Sequence, residues 1–87
     1  SIFMKDTAII IVHIKSKGIT RDVEVPLDIT ANELVIGLNS AYELGIDIND
    51  IRNCYLKMEN PIALMHGNKK LRDYGMHDCS VINITEA

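Results

Sequence analysis

Thr30 to Gly45 is the one stretch of this chain that reads as a helix of several turns, and it stands between segments that alternate or run in β-branched residues. Thr30-Ala31-Asn32-Glu33 has the T-x-x-E form in which the Thr30 and Glu33 side chains each satisfy an orphan amide of the first turn, so the helix should begin at Ala31. Leu34, Leu38 and Ala41, widened by Val35 and Tyr42, form the core-facing stripe, while Asn32, Asn39, Ser40 and Glu43 take the other side. Gly45 is expected to supply the left-handed residue that closes the helix. Gly37, in mid-helix, costs about 1 kcal/mol relative to Ala, and a close approach to the sheet is one reason to accept it.

On the N-terminal side, Thr7 to Lys15 and the alternating Arg21 to Val25 flank Ser16-Lys17-Gly18, which predicts a β-hairpin. Ile10, Val12 and Ile14 would face the core with Val23 and Val25, and Pro26 would end the second strand because it donates no ladder bond. After the helix, Cys54 to Met58 alternates as a third strand, with Cys54, Leu56 and Met58 on one face and Tyr55 and Lys57 on the other. Glu59-Asn60-Pro61 signals a turn, Ile62 to Met65 a short fourth strand, His66 to Lys70 a polar loop, and Leu71 to Gly75 one helical turn. Ser80 to Thr85 is the last strand, with Ile82 and Ile84 inward. One amphipathic helix on a mixed sheet of four or five strands makes an α+β fold.

The size of the chain limits its chemistry. With 87 residues it is too short for two domains or for a deep cleft between lobes, which excludes a multidomain enzyme. Nine basic and twelve acidic residues give a formal net charge of −3 with no Lys/Arg cluster, so nucleic acid is not an expected partner. The longest apolar run, Ala8 to Val12, is far too short to cross a bilayer, and the protein is expected to act in the cytoplasm without inserting into a membrane. Residues 4–87 are read as one domain. Ser1-Ile2-Phe3, ahead of Met4, are read as a cloning remnant or a disordered lead.

The order of elements, with Val25-Pro26 and Thr30 before the helix, Leu71-Arg72-Asp73-Tyr74-Gly75, and Met76 to Ile84 at the end, resembles the ubiquitin-like β-grasp fold over nearly the whole chain. Within that fold it is similar to the small bacterial YukD/EsaB-type proteins of type VII (WXG100, ESX-like) secretion systems. The resemblance implies a noncovalent accessory component or regulator with no catalytic residue and no cofactor. Its partner would be a membrane component or ATPase of the secretion machine, and the protein itself a monomer or weak homodimer. It also implies that Tyr74, in the Asp73-Tyr74 turn, ties the crossover loop to a backbone group. Cys79 departs from the family, standing where a tight turn usually has Gly, so a left-handed backbone there carries a cost.

Two other readings of a β-grasp chain stay open. A covalent modifier or sulfur carrier ends in Gly-Gly, whereas this sequence reads Thr85-Glu86-Ala87, so activation chemistry is not expected of it. A cytosolic domain excised from a secretion membrane subunit is the second. The positions matching the apolar patch of ubiquitin are Lys57, Asn83 and Thr85, so ubiquitin receptors should not bind. The outer face instead offers Ile9, Ile11 and His13 on the first strand, Tyr55 on the third and Val81 on the last, the candidate protein-binding face. Cys54 and Cys79 fall at opposite ends of neighbouring strands and should not pair. His66, His77 and Cys79 lack metal-ligand spacing, and His77 with Cys79 lacks an orienting carboxylate, so neither a metal nor a nucleophile is expected.

Overall fold

The computed structural model describes residues 5–85, and the expectations for Ser1 to Phe3 and for the final two residues lie outside them. Strand β1 (Thr7–Ile14) runs antiparallel to β2 (Ile19–Pro26), from Thr7 opposite Pro26 to Ile14 opposite Ile19. A 3-10 turn over Lys15–Lys17 joins them and closes on Gly18, whose φ of 62° suits a residue without a side chain. Helix α1 (Ala31–Tyr42) follows, then a distorted 3-10 segment, β3 (Leu56–Glu59), β4 (Ala63–Met65), a 3-10 turn over Leu71–Tyr74 and β5 (Val81–Ile84). The five strands lie in the order β2-β1-β5-β3-β4, with β1 and β5 parallel and the other neighbours antiparallel.

Strand alternation builds the inner face. Ala8, Ile10, Val12 and Ile14 of β1 are buried beside Val25, Leu56, Met58, Met65, Ile82 and Ile84. Ala31, Leu34, Val35 and Leu38 of α1 belong to the same core cluster, with Tyr42 packed against it. Each fully buried Ile, Leu or Met contributes about 1.5–3 kcal/mol relative to exposure. Leu27, Leu44, Leu71 and Met76, all outside strands and helix, close the ends of this layer.

The helix starts as its sequence indicates. Glu33 N–H donates to Thr30 Oγ1 at 3.1 Å, and Thr30 N–H donates to Glu33 Oε1 at 3.0 Å. Its end differs from expectation. Glu43, not Gly45, is the left-handed residue that closes it, with φ 52°, and Leu44 N–H then returns to Asn39 O at 3.3 Å. The reversal at Glu43 puts Leu44 into the core, while the Asn39 side-chain amide donates to Ile46 O at 3.0 Å and accepts from Ile46 N–H at 2.9 Å. Gly45 is left-handed too, φ 74°, but it sits in the exit loop those bonds fix.

Other expectations shift. Ala41 is exposed, because a stripe through Ala31, Leu34, Val35, Leu38 and Tyr42 already spans the face toward the sheet. Gly37 is exposed as well and a methyl group there would meet nothing within 4 Å, so close packing does not explain it. Strand β3 begins at Leu56: Cys54 still belongs to the preceding turn, where its N–H bonds Ile51 O at 2.9 Å. Ile62 falls in the turn before β4 and is 90% exposed. Cys79 has φ 71°, the left-handed backbone for which the resemblance would supply Gly.

Candidate functional site

The outer face of the sheet is built by pairing register. Ile9 lies opposite Glu24 and Ile11 opposite Asp22 on β2, while on the other side Ile11 lies beside Val81 of β5, which in turn faces Glu59 of β3. Asp22, Ile11, Val81 and Glu59 therefore form one cross-strand row, with Ile9 and Glu24 in the next. Ile9 is 54% exposed, and Ile11 and Val81 are half-buried among their neighbours. Two residues on one strand are about 6.7 Å apart and adjacent strands about 4.8 Å, so these three side chains make one small aliphatic patch.

His13 continues this face one row further along. It pairs with Thr20 on β2 and Asn83 on β5, and its Nδ1 lies 2.8 Å from Thr20 Oγ1. Tyr55 does not join the patch. It lies beyond the row of Lys57 and Asn83, past the start of β3, and its ring packs instead against His66 with centroids 4.6 Å apart. Tyr55 also lines, with Lys57, Leu64 and Ile84, a shallow groove of about 560 Å³. Leu64, 56% exposed on edge strand β4, is an outer-face residue that sequence reasoning missed; its alternation with the buried Met65 was the available signal.

The loops below the sheet are held by specific polar contacts. Tyr74 Oη accepts from His66 N–H at 3.2 Å and donates to His66 O at 3.0 Å, and Lys69 Nζ stands 4.5 Å over the Tyr74 ring. Asp73 is exposed in the same turn. Arg72 donates through Nε to Asp28 Oδ1 at 2.9 Å and through Nη2 to Lys5 O at 2.8 Å, tying three chain segments together. The guanidinium holds the Asp28 carboxyl below its usual range. Asp78 pairs with Lys5 and accepts from Ile9 N–H at 2.9 Å, and these bonds lower its pKa in the same way. Ser80 is fully buried; its Oγ donates to Asn60 O at 2.6 Å and accepts from His77 N–H at 3.0 Å.

Nothing in these contacts arms a nucleophile. Burial, then the carboxylates of Asp50 and Asp47, push the Cys54 thiol up, away from the reactive thiolate. Cys79 is exposed and free, and His77 Nδ1 is engaged at 2.8 Å by the Asp78 carbonyl. Among the described residues no group of three or more His, Cys, Asp or Glu is placed to hold a metal ion. None of the described helices is long and apolar enough to cross a membrane.

No family model matches the chain, and no curated protein matches it. Solved structures do. A protein designed de novo on the basis of ubiquitin is 16% identical with a TM-score of 0.65, over 92% of this chain and 88% of that one. The ubiquitin-like domain of Plasmodium falciparum Dsk2 is 14% identical, TM-score 0.59, over 91% and 99%. The C-terminal ubiquitin-like domain of mouse tubulin-specific chaperone e is 10% identical, TM-score 0.64, over 94% and 90%. At such identities the likeness is one of architecture, and the architecture of this chain is the ubiquitin-like β-grasp.

Proposed function

We propose that the protein is a noncovalent protein-interaction module that works through the outer face of its sheet, as an accessory component or regulator of a bacterial type VII secretion system. The observation that carries the interaction role is the contiguous patch of Ile9, Ile11 and Val81, which the described residues leave open on a ubiquitin-like sheet whose inner face is filled by its own helix. The secretion role, with a membrane component or ATPase as partner in the cytoplasm, is supported by the sequence resemblance at Leu71 to Gly75 and Met76 to Ile84 alone.

The test is affinity capture of the tagged protein from its host, washed under mild and under denaturing conditions, beside the Ile9→Lys/Ile11→Lys variant. Recovery of a secretion component by the parent only, and only under mild washing, is the expected result. Adducts that survive denaturation would make the protein a covalent modifier. Equal recovery by the variant would remove the face from the reading.

A further inference from the structure

The carboxylates around the aliphatic patch are arranged by register. Glu24 stands opposite Ile9, Asp22 opposite Ile11, and Glu59 opposite Val81, so the patch has acidic residues on both the β2 and the β3 side. All three are exposed. None has an ion-pair partner among the described residues, and Glu24 accepts only a neutral hydrogen bond, from Thr7 Oγ1 at 2.9 Å. Lys57 is the one lysine or arginine among the strand residues of this face, and it lies a row away, opposite Asn83. Unpaired charges of one sign flanking an open apolar surface select a partner by complementarity, raising its encounter rate and rejecting like-charged competitors.

We propose that this surface docks a basic segment of a partner protein, one that places aliphatic side chains on Ile9, Ile11 and Val81 and Lys or Arg side chains against Asp22, Glu24 and Glu59. The inference rests on the interaction reading above and gives that site its partner chemistry. A second copy of the chain is a poor occupant, because two such faces brought together would oppose the carboxylates of each, and the formal net charge of −3 adds to the repulsion.

Three short peptides test it by backbone amide NMR titration of the whole chain: alternating Leu and Lys, alternating Ser and Lys, and alternating Leu and Glu. The Leu/Lys peptide should shift the amides of Ile9, Ile11, Val81, Asp22 and Glu24, and its affinity should fall about tenfold between 50 and 300 mM salt. The Ser/Lys peptide should bind about tenfold more weakly, and the Leu/Glu peptide should not bind. Asp22→Lys/Glu24→Lys should cut Leu/Lys affinity about tenfold, whereas Asp73→Lys/Glu43→Lys, the same charge change at exposed positions elsewhere, should not. Equal binding of the Leu/Lys and Leu/Glu peptides, shifts mapping to another face, or concentration-dependent self-association through this one would each overturn the inference.

Capture from the host separates the two readings. If Ile9→Lys/Ile11→Lys abolishes recovery of the partner and Asp22→Lys/Glu24→Lys leaves it intact, the interaction role stands and the acidic-rim inference fails. If neither variant changes recovery, the outer face is not the docking surface, and the face assignment and the acidic-rim inference fail together.

Discussion

Tyr74 holds both backbone groups of His66 through a single phenol oxygen, accepting from the N–H and donating to the carbonyl. One side chain thereby fixes the point where edge strand β4 passes into the loop that leads to Leu71. Tyr74→Phe keeps the ring and its packing but removes both bonds. It should cost about 1 kcal/mol in urea unfolding and raise amide exchange at His66, with strands β1 and β2 unaffected. An unchanged exchange rate at His66 would show that the loop is held by something else.

Ser80 is the one buried polar residue among those described. Ser80→Ala removes the donor to Asn60 O and the acceptor for His77 N–H together, leaving two backbone groups short of a partner at the entrance to β5. The expected loss is about 1–3 kcal/mol, with Ser80→Thr intermediate because it keeps the hydroxyl but must fit an extra methyl into a fully buried site. Thermal unfolding of the three proteins checks the order.

Two backbone positions invite stabilisation, for opposite reasons. Gly37→Ala should raise stability by about 1 kcal/mol, since the position is exposed, helical and sterically open. Cys79→Gly should raise it by up to about 1 kcal/mol, since φ there is 71° and the removed thiol makes no buried contact. Chemical denaturation of the single variants and the pair should show additive gains; a loss in Gly37→Ala would restore a packing role for that glycine.

Acid should loosen the base of the fold through two carboxylates. Asp28, held by Arg72, and Asp78, held by Lys5 and by the Ile9 amide, both have pKa values lowered from the ordinary 3.8. A folded-state pKa below the unfolded one contributes stability that is fully present above about pH 4–5 and is lost as the pH falls through the lowered values. The contribution of these two carboxylates to the unfolding free energy should therefore be constant above about pH 5 and fall below about pH 4. Asp28→Asn should flatten that fall, and a profile identical to the parent's would show that the Arg72 contact has no bearing on it.

Periodicity carried most of the fold and only part of the surface. Alternation in Thr7 to Lys15 and the capping box at Thr30 and Glu33 are local signals that the core reinforces, so hairpin, helix start and inner face were legible. The helix end was not. Whether Glu43 or Gly45 turns left-handed depends on burying Leu44 and on Asn39 reaching Ile46, both tertiary events. Tyr55 shows a second limit: parity assigns a residue to a face, whereas register assigns its neighbours. Ile11 meets Val81 because the strands pair there, and Tyr55, of the same parity, falls rows away beside His66. The acidic rim is invisible in sequence for the same reason, since Asp22, Glu59 and Val81 converge only through three separate pairings.

The parallel pairing of β1 with β5 sets the order in which a growing chain can become protected. Ile11 acquires its second neighbour, Val81, only after about 70 further residues have been added, so during synthesis on the ribosome the hairpin of β1 and β2 emerges long before the strand that will cover its open side. Until then the most apolar strand of the molecule presents bare amides and carbonyls to anything extended that passes. A nascent chain that has not yet reached Val81 consequently carries an unpaired apolar strand edge, the kind of surface on which newly made chains aggregate.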